Sequence, residues 1–254
     1  MSDVLGGVGR ATTMAGRSIR ISGRNTDAFI TSLVLPVMLM LIFVYLFGGA
    51  IDTGTAYVTY VVPGILILCA SFGGATTAVG VSEDMKGGII DRFRSLDVGA
   101  TAILAGHVAA STVRNLASTV LVLAVALLIG FEPTPTIAGA LAATGLLVAF
   151  LVAISWLSAA FGLLARTPET AGGFTFLMTF LPYPSSAFVR IDTMPTWLHD
   201  FARHQPVTSL IESLRGLLLN EPVGTAPWTA LAWCVGILTV AIALSGALFG
   251  MRTR

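Results

Sequence analysis

The chain has 254 residues, 55% of them hydrophobic and 11% charged, with a formal net charge of +1. Soluble domains carry about 25% charged residues, so an ordinary soluble globular protein is excluded. With no basic patch beyond the membrane flanks, a nucleic-acid partner is excluded as well.

Met1–Arg24 lacks the apolar core of a signal peptide and carries Arg10, Arg17, Arg20 and Arg24. The first apolar run is therefore expected to stay in the mature protein. On a helical wheel these arginines fall within about an 80° sector, with Val4, Leu5, Val8 and Ile19 as a patchy apolar complement. Two readings are open for residues 1–26: a cytoplasmic amphipathic helix lying on anionic lipid, or a disordered basic tail. The helix is the expectation.

Six apolar runs follow, at Ala28–Gly49, Tyr57–Val81, Ala102–Gly130, Ile137–Ala165, Gly172–Val189 and Pro227–Met251. About 20 residues cross the roughly 30 Å hydrocarbon layer as a helix. Pro36 can kink the first run without ending it, and the third is longer than a crossing needs. Pro182 and Pro184 make the fifth a broken or short helix. The runs are long and show none of the alternation of a barrel strand. The expected fold is all-α and integral to the membrane, with six transmembrane helices.

Lys86, Arg92 and Arg94 follow the second run, Arg114 lies early in the third, Arg166 follows the fourth, and Arg252 and Arg254 follow the sixth. Threading six helices gathers all of these with the N-terminal arginines on one side. The other side has basic residues only in its long loop, at Arg190, Arg203 and Arg215. The positive-inside bias then puts both termini in the cytoplasm, for a multi-pass protein of the cytoplasmic membrane.

Between the second and third runs lies the densest charge cluster, Ser82–Asp97 (SEDMKGGIIDRFRSLD). A charge at the bilayer centre costs about 2.5–3.5 kcal/mol even on insertion scales, so this segment must face water. It reads as a part that something outside the membrane grips.

Residues 190–226 are too polar to span and too patterned for a plain loop. Met194, Trp197, Leu198 and Phe201 follow helical spacing, with Pro195 suited to a first turn. Pro206 then opens a second pattern: Val207, Leu210, Ile211, Leu214, Leu217 and Leu218. Two short amphipathic helices in series can lie flat on the outer surface or dip into the outer leaflet and return. Re-entry is the expectation, because His199, His204 and Arg215 would then need a polar cavity.

Several chemistries are missing. A P-loop needs Gly-Lys-Ser/Thr, and the sole lysine, Lys86, follows Met85 and precedes Gly87. Phe72–Ala75 and Ala171–Phe174 are glycine-rich but fit close helix packing better. His199 and His204 are five apart, off a shared helix face, so no metal site is expected. Ser185, Ser186, His199 and Asp200 lack a nucleophile elbow, so no hydrolase triad is expected. Cys69 and Cys234 fall inside apolar runs and read as buried free thiols. Ionisable residues deep in the spans are nearly absent, which argues against an ion-coupled pump; Arg114 is the one candidate, near enough to the interface to snorkel. The chain has no evident energy source of its own.

The blocks YVVPGILILCASFGG and EDMKGGIIDRFRSLDVGATAILAGHVAASTVRN resemble the membrane subunit of ABC-2-type exporters, specifically the daunorubicin-resistance (DrrB-like) branch. The segment PYPSSAFVRIDTMPTWLHDFARHQPVTSLIESLRGLLL is similar to the outer segment of that branch, with Met-Pro-x-Trp-Leu, then x-Pro-x-Thr ending at Thr208, then an arginine. Together the likeness covers about residues 25 to 250. Asp97 stands where the branch commonly has proline, and Gln205 where it commonly has asparagine.

The resemblance implies a permease subunit without catalytic residues, metal or bound cofactor, partnered by a separate ABC ATP-binding subunit that holds ATP and Mg. It implies a second permease copy or paralogue, and membrane lipid, as further partners. The Ser82–Asp97 cluster would be a coupling helix docking on the ATPase. Ile89, Ile90, Phe93 and Leu96 would form its apolar face, with Glu83, Asp84, Lys86, Asp91, Arg92 and Arg94 around it, and Gly87-Gly88 would break it from the second span. The path for cargo would run along the dimer seam beside spans one, two and five, where Phe43, Phe47 and Phe174 are candidate linings. Pro195, Trp197, Leu198, Phe201, Pro206, Thr208 and Arg215 would mark the re-entrant segment. The expected function is ATP-driven export of an amphipathic drug or lipid-like substrate. The alternatives are a lipid or glycolipid exporter of the same class, and a six-helix membrane enzyme or secondary transporter.

Overall fold

The computed structural model describes residues 26–86 and 100–252, which form helices and turns with no strand among them. The N-terminal segment and residues 87–99 lie outside the described residues. So do most of the expected coupling helix and Asp97.

Helix α1, Thr26–Leu41, carries Pro36 inside it without ending. It continues into π-helical turns at Ile42–Phe47, a winding common near functional sites. Helix α2, Tyr57–Lys86, is an unbroken 30 residues, about 45 Å long at 1.5 Å per residue. Helix α3 spans Ala100–Leu128, α4 spans Ile137–Leu164 and α8 spans Ala226–Arg252. These last four are long and apolar enough to cross a membrane.

The fifth run behaves differently. Its helix, α5, is Pro168–Phe180, only 13 residues or about 20 Å. It starts earlier than the expected Gly172, because Thr167 accepts a bond from the Thr170 N–H and Pro168 opens the first turn. It ends well before the expected Val189, because Pro182 and Pro184 offer no amide to continue the ladder; turns occupy Leu181–Phe188.

The segment beyond folds into two short helices, α6 (Thr196–His204) and α7 (Pro206–Leu219). Pro195 precedes α6 as its cap, one position earlier than a first-turn residue, and Pro206 opens α7. Asn220, left-handed at φ 56°, ends α7.

Helix α2 is the axis of the bundle. Its apolar window is 83% buried, against 44% or less for the other three long helices, and α1, α3, α4, α5 and α7 all pack on it. Helix α8 closes the far side of α4 and α7. The bundle has two ends: a proximal one, at Lys86 of α2 and Ala100 of α3, and a distal one, where α6 and α7 pack.

Candidate functional site

At the proximal end, α2 runs on past the expected Val81. Ser82, Glu83, Asp84 and Lys86 are therefore its last turns, not part of a separate element. Glu83 and Lys86 are exposed there, while Asp84 turns toward α3. Its Oδ2 meets His107 Nε2 at 3.0 Å. Glu169, in the first turn of α5, is exposed; the Thr167 hydroxyl holds its carboxyl below the usual carboxylate range, with its own backbone amide and Lys86 adding to the effect. Three helices thus bring ionisable side chains to this end. Gly87, Ile89, Ile90, Asp91, Arg92, Phe93, Arg94 and Leu96 lie outside the described residues.

Along the α2–α3 seam the side chains are polar despite the apolar surroundings. The Thr77 hydroxyl donates to Ser111 Oγ at 2.5 Å, and Ser155 of α4 donates to the same oxygen at 3.1 Å. Asn115 Nδ2 approaches it at 3.4 Å. Arg114, half-buried well within α3, donates to Thr76 Oγ1 at 2.8 Å. The interface expectation for Arg114 is therefore refined: protein, not the interface, receives part of its guanidinium. Gly73 makes room for the cluster, because a Cβ there would overlap the Asn115 side chain.

At the distal end, Arg215 of α7 closes the structure. Its Nε and Nη2 donate to the Tyr60 carbonyl at 3.3 and 3.0 Å, and Nη2 donates to the Ser186 carbonyl at 2.7 Å. The guanidinium lies 3.9 Å over the Tyr60 ring. Helix carbonyls keep a second lone pair after bonding their own ladder, so a fork can be seated on them. The polar surroundings expected for Arg215 are largely these carbonyls. A cavity of about 260 Å³ adjoins it, lined by Glu212, Gly216, Glu221 and Val223 among others.

The turn carrying Ser186 comes close to α2 because residue 64 is glycine. A Cβ at Gly64 would stand 2.7 Å from the Ala187 Cβ and 2.8 Å from its Cα. Tyr57 adds a hydroxyl bond to the Phe188 carbonyl at 2.9 Å. Gln205 Nε2 donates to the Pro184 carbonyl, which gives the departure from asparagine a local use. Thr208 donates to the Ala202 carbonyl, fixing the bend between α6 and α7. The two short helices differ in setting. Helix α7 buries Val207, Leu210, Ile211 and Leu214, whereas α6 leaves Trp197 78% exposed and Phe201 51% exposed, with Leu198 half-buried. The exposed Trp197 suits an interfacial belt.

Ser185 Oγ donates to the Pro182 carbonyl, and His199 Nε2 pairs with the Met194 carbonyl at 2.9 Å. The serine and histidine weighed for a hydrolase triad are thus engaged separately. His204 pairs with the Asp200 carbonyl, and no metal-ligand cluster occurs among the described residues.

A chain of rings joins α5 to the π-helical turns that follow α1. Phe176 meets Phe180 at 4.8 Å, Phe180 meets Tyr183 at 5.6 Å, and Tyr183 meets Phe188 at 5.4 Å. Phe188 then stacks on Phe43 at 4.2 Å, and Phe43 meets Phe47 at 5.5 Å. Of the three predicted linings, Phe43 and Phe47 belong to this chain. Phe174 does not; it stacks on Phe161 of α4 at 5.6 Å. The sequence reading missed Phe176, Phe180, Tyr183 and Phe188. The four-residue spacing of Phe176 and Phe180 was the one available signal.

The model of the ABC-2 type transporter family matches residues 10–219. A Streptomyces coeruleorubidus protein named daunorubicin resistance ABC transporter permease protein DrrB1 is 29% identical over 222 residues, covering 87% of this chain and 76% of its own. A Mycobacterium tuberculosis protein named for doxorubicin resistance, the ABC transporter permease DrrC, is 23% identical over 219 residues, covering 85% of this chain and 79% of its own.

Proposed function

This chain belongs to the ABC-2 type transporter family, and from that premise we propose that it is the permease subunit of an ATP-driven exporter. It is a multi-pass, membrane-embedded protein whose longest described helix carries the mechanism we infer. One unbroken helix, α2, begins beneath the Arg215 grip at Tyr60 and ends in charge at Lys86. An event at the proximal end has a continuous route to the distal one.

In this reading the segment from Ser82 to Asp97 faces the cytoplasm and docks on a separate ABC ATP-binding subunit, which holds ATP and Mg. Both termini are cytoplasmic, and residues 190–226 dip into the outer leaflet. A second permease copy or paralogue completes the pair. Nucleotide does work only by binding one conformation of the complex better than another, so closure of the ATPase shifts the permeases toward an outward-open population. The cargo is an amphipathic drug or lipid-like molecule. The relatives named for daunorubicin and doxorubicin resistance support a planar aromatic drug, and the ring chain between α5 and the π-helical turns after α1 offers matching surfaces.

The observation that carries the reading is the family match over residues 10–219. Its test is purification in mild detergent after co-expression with an ABC ATP-binding subunit from the same genome. The two should elute together and hydrolyse ATP faster when doxorubicin is added. An isolated permease with no ATPase bound would reject the exporter reading in favour of a membrane enzyme or secondary transporter. Stimulation by lipid and not by doxorubicin would move the cargo to lipid.

A further inference from the structure

The polar contacts between α2 and α3 share one antiparallel register. Asp84 pairs with His107, Thr77 with Ser111 and Thr76 with Arg114, and Gly73 admits Asn115; Cys69 faces Thr119. Each step from Lys86 toward Tyr57 is answered by a step up α3. Val81 of α2 and Leu104 and Val108 of α3 share one buried apolar cluster beside these rungs, so apolar contacts hold the same alignment. Interhelical hydrogen bonds in membranes average only about 0.6 kcal/mol each. Their number decides the matter: sliding α3 by one turn, about 5.4 Å, would break every rung together.

We propose that α2 and α3 are locked into a single rigid lever, with Asp84 and His107 as the positioning residues at its loaded end. The pair ties the feet of the two helices that flank residues 87–99, so a push on that segment moves both helices together. Without the tie, part of the displacement is lost as splaying of the feet. At the other end the lever meets Arg215, whose grip on the Tyr60 carbonyl passes the displacement to α7. This inference rests on residues 82–97 being the docking segment.

The test uses the full complex, permease with ATPase, in inverted vesicles, reading doxorubicin taken up per ATP hydrolysed. His107→Gln should keep assembly and ATP hydrolysis while uptake per ATP falls about three- to ten-fold, the size of effect seen along coupling networks. The exchange Asp84→His with His107→Asp should restore the ratio. A His107→Gln variant that transports at the wild-type ratio, or an exchange that binds the ATPase yet fails to restore the ratio, would overturn the lever. A second arm places cysteines at both positions; Cys69 and Cys234 are buried, leaving the new pair as the accessible thiols. Bridging them with a short bis-thiosulfonate should raise the ratio above that of the unbridged pair, since a rigid lever tolerates a covalent tie. A fall on bridging, reversed by reductant, would show that the feet must separate. The two readings fail differently: loss of the ATPase from the wild-type protein sinks the permease, whereas normal coupling in the variants sinks only the lever.

Discussion

Arg215 is the residue on which the distal end depends, through geometry more than charge. Its planar fork reaches two backbone carbonyls from different segments while its face covers Tyr60. A lysine keeps the charge but supplies neither fork nor stacking face. Arg215→Lys is expected to insert normally yet lose about 1–3 kcal/mol of stability, the worth of the charge-assisted hydrogen bonds and ring stacking that the fork supplies. A lower melting temperature in detergent and weaker export would bear this out; an unchanged melt would show that the grip contributes nothing. Nearby, Arg190 and Asp192 form an exposed pair at 2.7 Å, and Arg190 holds the Asp192 carboxyl below its usual range. Solvent screening makes such a pair a weak contributor. The amino-acid string announced Arg215 as a charge in need of a partner. It gave no hint that the partners are the carbonyls of Tyr60 and Ser186, because backbone acceptors have no signature in side-chain sequence.

At the scale of elements, the contrast between α2 and α5 is the informative one. Helix α2 overran its expected end because hydropathy marks where the membrane stops, and a helix need not stop there: Ser82–Lys86 are adequate helix formers up to Gly87. Helix α5 fell short because two prolines removed the amides needed to continue. Those prolines were readable; their consequence, a turn that closes on Gly64 and carries Phe188 to Phe43, was not. The seam between α2 and α3 was equally hidden. Serine, threonine and asparagine inside apolar runs read as background, and only the register of two packed helices makes rungs of them. The proposed docking segment has its own element-level prediction. Phe93→Asp places a charge on the expected apolar face, so the ATPase should be lost or its hydrolysis uncoupled while membrane insertion is unchanged. Normal export by that variant would remove Phe93 from the docking surface.

For the whole molecule, sidedness is the prediction that organises everything else. Cysteines introduced singly at Thr196 and Asp91 should react with a membrane-impermeant thiol reagent from outside and only after lysis, respectively. The reverse pattern would invert the chain and put α6 and α7 on the cytoplasmic face. The string of residues by itself determined the all-helical class, the number of apolar runs, the charge cluster between the second and third, and the family likeness. These follow from composition and local spacing, which act through water, lipid and the backbone before any two helices meet. Tertiary structure alone decided that α2 is the buried axis, that Asp84 reaches His107, that Phe174 leaves the ring chain, and that Arg215 is satisfied by carbonyls. Those outcomes depend on which residues, distant along the chain, are pressed within a few ångströms of one another, and packing is the physical step that chooses them.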